Sequence, residues 1–426
     1  MRPPAGGAAT GEAVHNMTSV DHDRRFAAFR HRPFLTYWSA RFLATFSTQI
    51  VSVAVGWQVY DLTRDPFDLG LVGIIQFAPS LLLVLVTGAA ADRFGRRLIM
   101  GAAAMLEALC ALALLVLTLR GLDGVSSVFV VLALFGVARA FFAPASASLV
   151  ANLVPPEDFA NAVAWNSSAW QTATIVGPVA GGLLYGLSAE TAYGTATFLM
   201  AGAAALSFAI AAPRQRSETE KATVAALFAG FRYIWGEKIV LGAVSLDLFA
   251  VLLSGAVALL PVYARDILEL GPWGLGLLRA APGIGAIAVA MWLAGHPIRD
   301  HAGVLLFVFV GLFGAFTVVF GVSTIPWVSI VALAFVGATD MVSVYVRETL
   351  IQLWTPDRVR GRVNAVNMVF VGASNELGEF RAGTMAALIG TVPAVVFGGV
   401  GAVAVAGLWA VMFPALRKAR HLDGRV

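Results

Sequence analysis

Apolar residues run along this chain in long blocks from Phe34 nearly to the end, separated by short polar stretches. A helix needs about 20 predominantly apolar residues to cross the hydrocarbon core of a bilayer. There the backbone must satisfy its own polar groups within the segment. That ruler predicts six spans at 34–60, 69–91, 98–119, 125–150, 161–187 and 191–212. A polar break follows, and then six more at 239–263, 274–295, 303–322, 327–352, 363–389 and 392–416.

Composition agrees: 59% of the residues are hydrophobic and 13% charged, against about 25% charged in soluble domains. A soluble enzyme is excluded. The one cysteine, Cys110, sits inside a span, so no disulfide forms within the chain. The first residues lack the apolar core of a cleaved signal peptide and read as a short disordered tail over 1–31.

Charge sets the orientation. Basic residues gather in the tail (Arg24, Arg25, Arg30, Arg32), after the second span (Arg93, Arg96, Arg97), across 213–238, at Arg358, Arg360 and Arg362, and at Arg417 and Lys418. The opposite loops hold only Arg64, Arg120 and Arg265. Excess Lys and Arg marks cytoplasmic loops, so both termini are expected in the cytoplasm. Orientation and contact with anionic lipid account for these charges without a nucleic-acid partner.

The chain also repeats itself. Arg139-Ala-Phe-Phe, Val154-Pro155-Pro156-Glu157 and Asn161-Ala-Val reappear about 200 residues later as Val346-Arg347-Glu348, Thr355-Pro356-Asp357 and Asn364-Ala-Val. Two six-helix bundles follow, 32–212 and 239–416, with a cytoplasmic linker at 213–238 and a C-terminal tail at 417–426. The linker turns amphipathic toward its end (Leu227, Phe228, Phe231, Trp235), which suits a helix lying on the membrane surface. Parallel six-span repeats are the architecture of the major facilitator fold, with its substrate cavity between the halves near mid-membrane.

Local motifs resemble that superfamily. Gly88-Ala-Ala-Ala-Asp92-Arg93-Phe94-Gly95-Arg96-Arg97 resembles its signature loop between the second and third helices. Gly95 allows a tight turn there, and Asp92 with Arg93, Arg96 and Arg97 is expected to latch helix ends on the cytoplasmic side. Gly177-Pro178-Val-Ala-Gly181-Gly182 resembles the element carried by members that work as antiporters, with Ala173 in place of its leading glycine. Proline weakens its own helical turn and glycines admit a second helix closely; with Gly283 and Gly285 they predict a tight seam between the fifth and eighth spans. Leu227-Phe-Ala-Gly-Phe-Arg232, Leu246-Asp247-Leu-Phe and Ser374-Asn375-Glu376-Leu-Gly378-Glu379-Phe-Arg381 are similar to the siderophore and drug efflux branch that includes the enterobactin exporter.

Charged side chains inside a span are costly and persist when paired or facing a wet cavity. Asp340, Glu376, Glu379, Arg381 and Arg139 are therefore the candidates for coupling to protons, with Glu376 and Glu379 on one helix face and Asp340 or Glu376 as the exchanging group. A fully ion-paired brace is the alternative. Glu107 has Arg139 or Arg41 as possible partners, and the sequence does not choose. Asp247 suits either the cavity or a packing contact.

The helices that line the cavity in the resembled fold supply Trp57, Gln58, Gln76, Phe77, Phe141, Trp165, Asn166, Trp170, Gln171, Asn367 and Asn375. No catalytic constellation, nucleotide loop or metal cluster is present. Gly274-Leu-Gly276 and Gly283-Ile-Gly285 lie in a span and lack the strand that a dinucleotide site requires. The expectation is a monomeric, cofactor-free secondary transporter in a bacterial inner membrane, exporting small amphipathic molecules in exchange for protons. A lipid flippase or importer of the same fold, or a non-transporting sensor, stays open.

Overall fold

A computed structural model describes residues 25–122, 124–211, 224–298 and 300–419. Most of the expected N-terminal tail, the polar start of the linker and the end of the C-terminal tail lie outside the described residues.

Twelve long helices form among the described residues: α1 (Arg32–Thr63), α2 (Pro66–Phe94), α3 (Arg96–Arg120), α4 (Ser126–Leu149), α5 (Phe159–Leu187), α6 (Ala189–Ala209), α7 (Lys238–Ser254), α8 (Gly271–Gly295), α9 (Ala302–Val322), α10 (Pro326–Trp354), α11 (Asp357–Ile389) and α12 (Thr391–Met412). Ten, the seventh counted on through Ile267, are long and apolar enough to cross a membrane on length and composition alone. The other two are α5 and α11, which are diluted by Asn161, Asn166 and Gln171 and by Asn367, Asn375, Glu376, Glu379 and Arg381 respectively. The two helices that fall short thus occupy corresponding places in the two halves.

Helix ends follow local chemistry. Asp65 caps α2 by accepting from the Phe67 N–H at 2.9 Å, and Pro66 fits the first turn, where an N–H is not needed. Ser188 caps α6 by accepting from the Thr191 N–H at 3.0 Å. Gly95, with φ 84°, turns α2 into α3, a region that favours glycine.

The seventh span is not one continuous helix. α7 stops at Ser254, Gly255 adopts φ 49°, and the chain goes on through a 3-10 turn (Ala256–Leu259), a helical turn (Leu260–Val262) and a π-turn (Tyr263–Ile267). Glycine is required at 255 twice over, because a β-carbon would also lie 2.2 Å from the Gly378 carbonyl of α11. The last carbonyls of a helix lack internal partners, and here Arg381 supplies them. Its Nε donates to Leu252 O at 3.0 Å and its Nη2 to Leu253 O.

The linker forms a helix, Val224–Gly236, seated on α11. Tyr233 donates to Trp354 O at 2.6 Å, and Gly230 faces the Arg362 carbonyl, where a β-carbon would lie 2.6 Å away. Its Phe228 and Trp235 stay exposed. The expected tail differs at its end: Ala27–Arg30 makes a 3-10 turn rather than free chain. Phe26 and Phe29 pack on Trp165 with ring centroids 5.2 and 5.0 Å away, and the Ala28 N–H donates to Asn161 Oδ1 at 3.1 Å. Ring contacts of Phe26 and Phe29 with Trp165, of Phe29 with Trp38, and the burial of Ala28 hold that turn on α1 and α5.

Candidate functional site

Among the described residues the two six-helix units meet along three close seams. Gly70 and Gly383 let α2 and α11 touch backbone to backbone, a β-carbon on Gly383 lying 2.8 Å from Gly70 Cα. Gly182 and Gly276 do the same for α5 and α8, with a β-carbon on Gly182 2.6 Å from Pro272 O. The end of α1 meets the π-turn after α7, where Tyr60 donates to Asp266, Arg265 pairs with Asp61, and Arg64 reaches Asp266 at 3.4 Å. Arg265 also lies over the Trp57 ring at 5.4 Å. All three contacts fall in the half of each helix distant from the termini.

Three carboxylates lie close to this seam. Gly73 of α2 leaves room for two of them: a β-carbon there would stand 2.8 Å from Glu376 Oε2 and 3.4 Å from Glu379 Oε2. Arg139 of α4 and Arg279 of α8 lie within electrostatic reach of both, one from each unit. Arg279 is not among the candidates that the sequence offers. It donates to Ser52 Oγ of α1 at 2.5 Å across the units, and its signal was an unremarked arginine inside an apolar span. Asp340 of α10 shares a cavity of about 190 Å³ with Asn375, Glu379, Ser254 and Gly255 at the α7 break. Among the described residues none of these three carboxylates has an ion pair. Arg381 does not join them, being held at the α7 carbonyls.

Asp247 is paired with Arg347, whose side chain is 5% exposed. Glu348 stands 3.6 Å from Arg347 and accepts from Asn367 at 2.9 Å. This cluster ties α7, α10 and α11 together inside one unit.

A second cavity, about 280 Å³, opens in the N-terminal unit between α1, α3, α4 and α5. Arg41, Glu107, Arg139, Ser146, Trp170 and Thr174 are among its lining residues. Arg41 donates to Tyr37 Oη at 3.0 Å and Ser146 Oγ at 3.1 Å, and Arg139 contacts Gln76 Oε1 at 3.5 Å. Glu107 pairs with neither arginine.

The other expected cavity residues divide. Gln58 is buried, bridging Thr118 Oγ1 at 3.0 Å and Tyr193 Oη at 2.7 Å inside the N-terminal unit. Trp57 is packed under Arg265, and Trp165 is covered by Phe26 and Phe29 while its Nε1 donates to Arg25 O at 2.9 Å. Asn166 has a buried Oδ1 without a partner. Phe77 faces Gly372 of α11, where a β-carbon would lie 3.5 Å from its ring. Phe141 and Gln171 are half-buried, whereas Asn375 is exposed.

In the signature loop, Arg96 donates to Ser148 O and Arg97 to Ile210 O, each at 2.8 Å, so both cap helix ends within the N-terminal unit, where cations favour the carbonyl end. The side chains of Gly88, Asp92 and Arg93 lie outside the described residues. In the glycine-proline element, Gly177 and Gly181 face α1 at Gln49 and Ile50, while Gly182 faces α8. Gly283 meets Ile175 of α5, but Gly285 faces Ala334 of α10. The α5–α8 seam therefore runs through Gly182, Gly276 and Gly283.

Residues 24–424 match the family described as transmembrane secretion effector, within the major facilitator superfamily. Among curated proteins the chain is 25% identical over 413 residues to the enterobactin exporter EntS of Escherichia coli O1:K1, covering 93% of this chain and 95% of that one. Identity to EntS of Shigella boydii serotype 18 is 25% over 417 residues with the same coverage. A bacterial homologue of the human lysosomal transporter Spinster, in an inward-facing and unoccupied conformation, superposes with TM-score 0.67 at 14% identity, over 91% of this chain and 96% of that one. The human organic anion transporter MFSD10 gives 0.63 at 15% identity, over 90% and 99%. These structures share the fold. The chain belongs to the transmembrane secretion effector family of major facilitator transporters.

Proposed function

We propose that this chain is a proton-coupled exporter of small amphipathic molecules in a bacterial inner membrane, working by alternating access and here open toward the cytoplasm. The observation that carries the reading is the Glu376–Glu379 pair. Its carboxylates lack ion pairs among the described residues, press on Gly73 of the opposite unit, and face one arginine from each unit. A change in their charge acts directly on the seam that must part when the units rock.

The basic clusters at 93–97, 232–238 and 358–362 lie at the termini end, which the positive-inside rule assigns to the cytoplasm. The close seams and the Asp61–Arg265 pair then seal the outer face. Export is supported by the likeness to enterobactin exporters, and the exchanged proton by carboxylates inside the membrane.

The test is uptake into proteoliposomes of purified protein under an imposed pH gradient, with amphipathic dyes and siderophores as cargo. Gradient-driven movement is expected in the wild type and lost in Glu376→Gln. Movement that persists in Glu376→Gln, Glu379→Gln and Asp340→Asn alike removes the proton-coupled reading.

A further inference from the structure

The cavity of the N-terminal unit holds a carboxylate that the mechanism above does not use. Glu107 is 2% exposed, and its Oε2 is buried with no hydrogen-bond partner. No ion pair forms with either arginine that lines the same cavity, although Arg139 lies within its electrostatic reach. Buried polar groups are almost always bonded, so an orphan of this kind calls for a partner that the empty chain does not supply.

The neighbours define what that partner must be. Arg41 is already spent on Tyr37 and Ser146, which fixes its guanidinium. Arg139 makes a single contact, at the outer limit of a hydrogen bond, and so keeps most of its N–H donors free for an acceptor. The open arms of the cavity are thus one acceptor, Glu107, and one donor, Arg139, separated by more than an ion-pair distance.

Chemistry narrows the choice. A net charge on the cargo would have to be buried beside Glu107 and two arginines, which is costly. A hydroxyl brings no charge; it donates to a carboxylate and accepts from a guanidinium. Two adjacent hydroxyls place one oxygen on each arm. Trp170, 49% exposed on the cavity wall, offers a ring face for the carbon skeleton that carries them, and Thr174 is a further hydroxyl beside it.

We propose that this cavity is a subsite for a vicinal diol on the cargo, gripped between Glu107 and Arg139 and backed by Trp170. The proposal rests on the reading that the chain moves a small molecule along this path, and it adds the chemical class of one part of that molecule. The diol comes either from a catechol ring or from a glycosyl group.

The test is calorimetric titration of the full-length protein in lipid nanodiscs with 4-methylcatechol and phenyl β-glucoside, each beside its O-methylated counterpart. At least one free diol is expected to bind, and methylation to weaken it by roughly tenfold or more, the worth of a lost hydrogen bond to a charged group. Which of the two binds assigns the aromatic or the glycosyl source. Glu107→Gln and Arg139→Gln are each expected to weaken the diol by a similar factor while leaving the melting temperature near that of the wild type, and Trp170→Leu to weaken it less.

Equal binding of the methylated forms, or binding of neither diol, overturns the proposal from the wild-type protein alone. Unchanged diol affinity in both Glu107→Gln and Arg139→Gln overturns it as well. Titration needs no gradient and no movement of cargo. Diol binding without gradient-driven transport therefore refutes proton coupling and leaves the subsite standing, whereas gradient-driven transport without diol binding does the reverse.

Discussion

Two sets of ion pairs use the same residue types in opposite ways. Asp61–Arg265 and Arg64–Asp266 cross from one unit to the other at the end distant from the termini, with side chains 24–53% exposed. Asp247–Arg347 stays inside the C-terminal unit, with side chains 14% and 5% exposed. Exposed pairs are worth roughly 0–1 kcal/mol, so the first set can part and re-form at little cost. Removing one partner of a buried pair costs about 3–5 kcal/mol, so the second moves as one piece with its unit. Burial and the boundary that a pair spans, more than its charges, separate a gate from a brace.

That contrast can be broken most severely at the brace. Asp247→Ala strands a buried guanidinium and is expected to cost about 3–5 kcal/mol, read as a large fall in melting temperature; replacing Asp247 and Arg347 together by leucine and methionine should recover much of it. The seam comes next. In Gly182→Leu the side chain meets the Pro272 carbonyl, so transport is expected to fall about tenfold with normal membrane insertion, a barrier change of about 1.4 kcal/mol. Asp61→Asn combined with Asp266→Asn should do less, about 1 kcal/mol or below for each lost pair. Spin labels at the ends of α1 and α7 should then report a larger population open at that end; unchanged distances would mean that the glycine seams hold it closed alone. The smallest effect is expected from Asp61→Arg with Arg265→Asp, which exchanges the charges and should restore the wild-type distances.

Much of this architecture was legible in the sequence. Hydropathy blocks located the spans because a bilayer sets their length, and the repeat around Asn161 and Asn364 divided them into two units. The break at Gly255 was not legible, since it depends on Arg381 arriving from another helix to take the orphaned carbonyls of α7. Nor was the pairing of Asp61 with Arg265, because the charge of a loop reports its side of the membrane and not its partner. A signal for it existed: the two segments are separated by about the same interval as the repeat, and so occupy equivalent ends of the two units. Gln58 and Trp57 were expected in the cavity on helix number alone, yet their faces of α1 turn inward to Tyr193 and to Arg265. Helix membership is readable from sequence, whereas the facing direction is set by packing.

The polarity of α5 and α11 bears on how the chain is made. Neither helix is apolar enough to cross a membrane on composition, yet each is joined to an apolar successor by one residue, Ser188 before α6 and Gly390 before α12. Insertion is governed by the summed transfer energy of what enters together, so such a helix is carried in by its neighbour as a hairpin. A ribosome halted after α5 but before α6 should leave that segment outside the bilayer, so that α5 and α11 are secured only when the last helix of each bundle arrives.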